Sequence, residues 1–387
     1  MRDADGQTSS HRAVYQRQTL GDLVELQRGY DLTADERQPG SIPVIGGGGA
    51  NGYHAVANVN GPGVALARSG SGFGNAWWIE SDFWAHNTVM FVKNFKGNDP
   101  RYTYYVLDWI DFSKHNSGGA QPSLNRNFIY PIPIHIPQLP EQRKIAEILR
   151  TWDEALEKLT AFRAAKARRL DGLAAWLIHD EQAERLHLRD FLSEVSTRNH
   201  GQQVERVLSV TNSAGFVLAE DQFAHRVASA DLSNYKIVRR GQYAYNPSRI
   251  NVGSIARLDA WEDGALSPMY VVFRVRNGLD SDFFRHWLRS AEARQRIALA
   301  AQGSVRETVS FGDLGSILIP VPTIERQQSI SRALNAGRGE IALIEAEIEA
   351  LTRQKRGLMQ KLLTGEWRVP LNHAETPIMT EEAEHAG

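Results

Sequence analysis

One long helical seam occurs twice in this chain, and that repetition limits what it can fold into more than any other feature. Between Pro137 and Asp180, residues Ile145, Leu149, Trp152, Leu156, Leu159, Arg163, Lys166, Leu170, Leu173 and Leu177 alternate steps of four and three, apolar except at Arg163 and Lys166. That spacing is a heptad seam on one helix face. Pro137 and Pro140 stand where a first turn needs no N–H, and Glu141 sits where the helix dipole favours an anion. At an offset of 185 residues, Ile330, Leu334, Ile341, Ile344, Ile348, Leu351, Leu358 and Leu362 take the same register. Pro137 aligns with Pro322, Gln142 with Gln327 and Gly172 with Gly357. A register kept over more than 40 residues marks a tandem duplication.

The duplication extends upstream of each helix. Ile129, Ile132, Ile134 and Ile136 align with Leu314, Ile317, Ile319 and Val321, and Gly118-Gly119 with Gly303-Ser304. Alternating apolar residues in both runs predict a strand leading into each helix. Thr19-Leu-Gly-Asp-Leu has its counterpart in His187-Leu-Arg-Asp-Phe, and both read as a short helical turn. Apolar runs at 42–45, 64–68, 76–79 and 87–92, and at 207–212, 235–238, 242–246 and 269–275, predict strands, while 100–112 and 282–301 read as helices. The expected organisation is a disordered 1–16, a globular domain at 17–137, a long helix at 138–180, a second globular domain at 186–321, a second long helix at 322–366 and an acidic flexible tail at 371–387. Asp180-Glu-Gln-Ala-Glu makes a hinge between the repeats. Asn335-Ala-Gly-Arg-Gly is a weak point of the second helix, since each Gly costs ~1 kcal/mol relative to Ala.

A repeat of 3.5 residues sustained this long favours helix against helix. Two units that each run into such a helix give an antiparallel pair with pseudo-twofold symmetry. The predicted fold class is therefore α/β (α+β): two globular domains separated by an antiparallel coiled coil of two long helices. About 35 residues at 1.5 Å per residue make a spacer of ~50 Å.

With 387 residues, 42% of them hydrophobic, the chain is long enough for two sizeable cores. The absence of cysteine excludes a disulfide scaffold and a thiolate metal site, and suits a cytoplasmic location. No apolar run reaches bilayer length and no signal-peptide core is present, so no membrane partner is expected. Net charge is −1. Glu375, Glu381, Glu382 and Glu384 lie in the tail, and without them 41 acidic residues face 44 basic ones. A chain that held nucleic acid by its own charge alone would be more cationic.

No motif for chemistry stands out. The glycine runs 46–49 and 70–74 lack GxxxxGK[ST] and read as turns. Tyr245-Asn246-Pro247-Ser248 approaches the Asn-Pro-Pro-aromatic pattern that holds a flipped adenine, but Ser248 and Arg249 replace its last two residues. It reads as a turn that ends a strand. The twelve histidines show no HExxH spacing and no Ser-His-Asp grouping. No catalytic or metal site is expected.

The repeated runs IPIHIPQLPEQRKIAEIL in the 131–149 region and ILIPVPTIERQQSI at 317–330, with RQKRGLMQKLLTGEWRVP at 353–370, resemble the specificity subunit of type I restriction–modification systems. The resemblance covers residues 17–370 in the order recognition domain, helix, recognition domain, helix. It implies a non-catalytic subunit that binds a bipartite double-stranded DNA target, one half per recognition domain. It also implies two modification (methyltransferase) subunits and restriction/translocase subunits as partners, with S-adenosylmethionine, ATP and Mg²⁺ belonging to those partners. A chain sharing phosphate contacts with partners need not be basic.

Base readout in the major groove uses Arg and Lys on guanine and Asn and Gln on adenine. Polar loops rich in such residues supply the DNA-binding candidates. In the first unit these are Arg68, Ser69, Ser71, Asn75, Lys114, His115, Asn116, Gln121, Asn125 and Arg126. In the second they are Asn212, Arg226, Lys236, Asn246, Arg249, Asn251, Gln302, Ser304 and Arg306. The loops 115–126 and 302–310 occupy equivalent places in the repeat. Two other readings stay open on the residues alone: a coiled-coil adaptor whose domains bind protein without DNA specificity, and a self-contained nuclease or methyltransferase active without partners.

Overall fold

A computed structural model of the chain describes residues 17–119, 121–222, 231–302 and 308–370. The segments 1–16 and 371–387, expected to be disordered or flexible, lie outside the described residues. The chain divides into two compact units, residues 1–160 with 347–387 and residues 161–346. The division cuts both long helices, so each unit owns one globular domain and half of each helix.

In the first unit, strands β1 (Glu25–Arg28), β2 (Gly63–Ala67), β3 (Ala76–Ile79) and β4 (Val89–Asn94) form an antiparallel sheet in the order β1-β4-β2-β3. β2 is Gly-Val-Ala-Leu-Ala and buried along its whole length, as a central strand covered on both faces must be. Strands Ile42–Gly46, Gly49–His54 and Trp84–Ala85 form a second, three-stranded sheet. The second unit repeats the four-stranded sheet with β5 (Leu192–Glu194), β6 (Tyr243–Tyr245), β7 (Ile255–Arg257) and β8 (Val271–Val275) in the order β5-β8-β6-β7. The duplication inferred from the helices therefore governs the sheets, where the two sequences share little.

Both domains are clamped in the same way. Arg17–Thr19 pairs antiparallel with Pro133–His135, and Glu184–His187 with Leu318–Val321, so the expected strands before the long helices are present. Leu20 N donates to Ile132 O and Leu188 N to Ile317 O, each at 2.9 Å. The helical turns expected at those points are Leu20–Leu23 and the 3₁₀ turn Leu188–Asp190. Asp22 closes the first with a capping box on Thr19.

The long helices run Leu139–Ile178 and Ile324–Leu363. Within the first unit, Asp153 on one helix pairs with Lys355 on the other. Within the second, Arg163 pairs with Glu345, Lys166 with Glu340, and Leu170 packs onto Gly337. In that unit rising numbers on one helix meet falling numbers on the other, which is antiparallel pairing. The two polar steps of the first seam, Arg163 and Lys166, are thus answered by carboxylates. The second seam has two gaps of its own, Gly337 and Lys355. Gly337 leaves room for Leu170, whose Cδ1 lies 2.7 Å from where a Cβ would stand. The helix continues unbroken through Asn335–Gly339, against the expected weak point, because Asn335 is held by Asp282, Arg285 and His286.

Gln142 and Gln327 carry the duplication into the core. Gln142 accepts from Asp99 N at 2.9 Å and donates to Pro137 O at 2.9 Å; Gln327 accepts from Asp280 N at 2.7 Å and donates to Pro322 O at 2.8 Å. Asp99 and Asp280 are in turn the N-caps of helices Pro100–Trp109 and Ser281–Trp287. Each core then closes over its helices: Tyr102, Tyr105, Ile145 and Leu149 in the first unit, Phe283, Phe284, Trp287, Ile330 and Leu334 in the second, all 2% exposed or less. Side chains of this size contribute roughly 1.5–3 kcal/mol each when buried.

One expectation is corrected. The single helix read at 282–301 is two helices, Ser281–Trp287 and Ala291–Gln302. Ser290 N bonds back to Trp287 O, and the Ser290 hydroxyl accepts from Ala293 N, capping a new helix. Among the described residues no helix is long and apolar enough to cross a membrane.

Candidate nucleic-acid interface

Each four-stranded sheet delivers two polar segments to one place. In the first unit β2 ends at Ala67 and the chain turns through 68–75 before β3. Leu124 N donates to Arg68 O at 2.8 Å, tying this turn to the segment 115–126. In the second unit β6 ends at Tyr245 and the chain turns through 246–254 before β7. Val309 N donates to Pro247 O at 3.1 Å, tying that turn to the segment ahead of Phe311–Gly315. The turns share no sequence, yet they leave the same edge of the same sheet.

Glycine shapes the first turn. Gly70 and Gly74 hold φ of +91° and +84°, which an L side chain resists. Gly72 lies so close to the other glycine run that a Cβ there would stand 2.2 Å from Gly47 O. Asparagine shapes the second. The Asn246 side chain accepts from Ser248 N at 3.0 Å, the Asx turn that ends the strand.

Arg68, Asn125 and Arg126 line a cavity of about 480 Å³ together with Gln27, Arg28 and Ser123. Arg68 is half-buried and donates to Asn87 O at 3.4 Å and Ser123 Oγ at 3.3 Å. Burial, and then the charge of Arg28, hold its pKa below the usual guanidinium value. Arg126 donates to Leu26 O at 3.0 Å. Three guanidinium forks share this wall with no carboxylate among its lining residues. That arrangement accepts an anion or the O6/N7 edge of guanine. Gln27 and Arg28 escaped the sequence reading because they sit on β1, about a hundred residues from their neighbours at 123–126. Nothing local marks them, since their strand reads Glu-Leu-Gln-Arg with Leu26 its one apolar residue.

The remaining candidates divide. Ser71, Asn75, Lys114, Asn116 and Gln121 are exposed, while Ser69 and His115 are half-buried. Lys114 pairs with Asp111 at 3.3 Å. Asn116 Oδ1 accepts from Gly118 N and Ser123 N, so that oxygen holds the loop together. In the second unit Arg249 and Asn251 are exposed on the turn after β6, with Asn246 half-buried beside them. Asn212 lies at the tip of the hairpin Leu208–Thr211/Gly215–Leu218. Lys236 is withdrawn from the candidates: it is 8% exposed, its ammonium donates to Tyr270 O at 2.7 Å, and burial lowers its pKa. Arg226, Ser304 and Arg306, and the side chain of Gln302, lie outside the described residues. Among the described residues no group of three or more His, Asp or Glu is placed to hold a metal ion.

Residues 15–162 match the family model of the type I restriction modification DNA specificity domain. The chain is 25% identical over 156 residues to the type I restriction enzyme EcoprrI specificity subunit of Escherichia coli, a match covering 39% of each protein. It is 35% identical over 74 residues to the putative type I restriction enzyme MjaX specificity subunit of Methanocaldococcus jannaschii, covering 19% of this chain and 17% of that protein. The chain thus matches less than half the length of these curated relatives. In fold it is similar to the S subunit of a type I restriction-modification system from M. genitalium, with a TM-score of 0.61 at 17% identity, covering 92% of this chain and 98% of that one. A chain from a structure of type I R-M complex assembly and conformational transition matches with a TM-score of 0.54 at 12% identity, over 90% and 97% of the two chains.

Proposed function

We propose that this chain, whose residues 15–162 belong to the type I restriction modification DNA specificity domain family, is the DNA-specificity subunit of a type I restriction–modification complex. Each domain reads one half of a bipartite duplex target. The reading rests on one observation above the others: two domains of unlike sequence present the same pair of tethered polar segments, Arg68 to Leu124 and Pro247 to Val309. A duplicated scaffold with divergent loops is what an asymmetric two-part target requires. Phosphate contacts position such a duplex, and base-edge contacts from the loops specify it.

The chain recognises and scaffolds; the chemistry belongs to its partners. Two modification subunits bring S-adenosylmethionine, and restriction/translocase subunits bring ATP and Mg²⁺, in the cytoplasm where the DNA is. The near-neutral net charge of −1 supports shared phosphate contact. The test is methylome sequencing of the host with and without this gene. Loss of one bipartite methyladenine motif on deletion is the expected result. Exchanging residues 186–321 for those of another such subunit should change one half of that motif only; a change in both halves sinks the modular reading. A complex that methylates without sequence preference would point instead to a protein-binding adaptor.

A further inference from the structure

The second unit holds a cavity of about 640 Å³ whose wall carries Arg257, Arg285, Arg289 and Arg294 but a single carboxylate, Asp259. Two of these arginines are already answered. Arg257 reaches Asp259 at 2.7 Å and Asp282 at 2.8 Å, and Arg285 reaches the same two carboxylates at 2.9 and 3.1 Å. Those four charges cancel. Arg289 and Arg294 are left over. The Arg289 guanidinium has no hydrogen bond or ion pair among the described residues, and Arg294 donates only to the Arg289 carbonyl, at 2.9 Å. Arg338 stands near them, its charge partly offset by Asp171 and its Nε buried with no hydrogen-bond partner among the described residues. Arg289 is exposed as a residue, yet partial burial of its guanidinium, then the charges of Arg338 and Arg285, depress its pKa against the opposing pull of Tyr243 and Asp259.

The first unit shows what is unusual here. Arg289 stands nine residues after the capping Asp280, and the residue nine after the capping Asp99 is Asp108. The repeat offset of 185 places Asp153 opposite Arg338. The charges at both positions are inverted. In the first unit Lys355 pairs with Asp153, and Lys355 and Arg356 also counter the rise that burial causes in the pKa of Asp108. In the second unit the equivalent of Lys355 is Leu170, and Arg289 forms no ion pair among the described residues, with Asp259, already paired to Arg257 and Arg285, acting on it only from farther off. Guanidinium groups that outnumber the carboxylates near them repel each other, and an anion brought among them relieves that repulsion.

The place of the cavity names the anion. Val252 and Gly253 in its wall belong to the same turn that presents Arg249 and Asn251, and Asn212 also lines it. A duplex read by that turn carries its phosphates past the mouth. The planar fork of arginine matches a phosphate in two-point contact. We propose that Arg289 and Arg294 form a phosphodiester seat for the DNA that flanks the second half-site, a seat the first unit lacks. The proposal rests on the reading of this chain as a DNA-specificity subunit. The seat positions the duplex and carries no base information.

The test uses the full chain assembled with its modification subunits. Binding to the target duplex is measured against salt concentration for wild type, for Arg289→Gln with Arg294→Gln, and for Arg289→Lys with Arg294→Lys. Each phosphate contact contributes about 0.9 to the slope of log affinity against log salt. The glutamine pair removes one phosphate contact and should flatten that slope by about 0.9. Between 50 and 200 mM salt the wild type then loses about 3- to 4-fold more affinity than the variant. Base preference at every target position should stay unchanged, and the lysine pair should keep most of the slope. An unchanged slope in the glutamine variant overturns the proposal. So does a weakened hold on the modification subunits with the slope intact, which would make the cavity a socket for an acidic protein segment. Altered base preference overturns it too. A wild-type complex with no sequence-selective binding would sink the functional reading itself, before any variant is compared.

Discussion

Replacing Gln327 by leucine tests how each long helix is joined to its domain. Gln327 is fully buried. Its Oε1 accepts from Asp280 N at 2.7 Å, and its Nε2 donates to Gly278 O at 3.2 Å and Pro322 O at 2.8 Å. Leucine fills nearly the same volume, so no large cavity opens, but one backbone donor and two carbonyls lose their partner. A buried group left unsatisfied costs about 1–3 kcal/mol. Taking the lower end for the carbonyls, whose second lone pairs have other uses, and offsetting ~1 kcal/mol for the more apolar side chain, the net loss is about 2–4 kcal/mol. In a unit of this size each kcal/mol moves the melting point by about 2–4 °C, so Gln327→Leu should lower it by ~4–16 °C. Differential scanning calorimetry reads this directly. Gln142→Leu should give a loss of similar size, because Gln142 makes the same bonds to Asp99 N and Pro137 O and a further one to Asn98 at 2.8 Å. A shift below 1 °C in both variants would refute the reasoning, since water must then replace the glutamine at no cost.

Further outcomes follow from other contacts. Gly72→Ala places a methyl 2.2 Å from Gly47 O, so the turn at 68–75 must move; electrophoretic mobility shifts should show discrimination lost at the first half-site alone. His286 is pushed down to about 4, chiefly by burial and further by Arg338, Arg285 and Arg289, against the bond its ring makes with Asn335. The unfolded chain takes up this proton near pH 6.5 and the folded one not until about 4. Stability present above pH 6.5 is therefore lost as the pH falls towards 4, by on the order of 2–3 kcal/mol. Urea titrations of wild type and His286→Gln should diverge over that window, and parallel curves would contradict the assignment. Lys355→Met keeps the stem packed but leaves Asp153 with the Tyr105 hydroxyl, at 2.6 Å, as its remaining partner. Thermal denaturation should show a loss of about 1–2 kcal/mol, moderated because Asp153 is partly exposed.

Much of this architecture was legible in the residues because it is written at short range. A heptad seam declares itself every three or four residues, so both long helices, their register and the duplication could be read off without knowing any partner. The strands at 64–68, 76–79 and 242–246 were equally local. The break at Leu288–Ser290 was not, because the helical pattern spans it and only a serine cap betrays it. The candidate site was half legible for the same reason. Turns rich in Arg, Asn and Ser mark themselves, but solvation and burial do not, and Lys236 reads like any surface lysine until Tyr270 and Glu194 close around it.

Sequence by itself determined that there are two repeats, that each ends in a long helix, and that polar loops precede those helices. The tertiary structure alone decided which distant segments meet. Arg28 joins Arg68 and Arg126 only because β1, β4 and β2 lie side by side. Among the described residues Arg289 has no ion-pair partner while Asp153 is answered by Lys355, a difference that no window of the sequence contains. Periodicity is carried by neighbours along the chain; electrostatic balance is a sum over neighbours in space, and only folding brings those together.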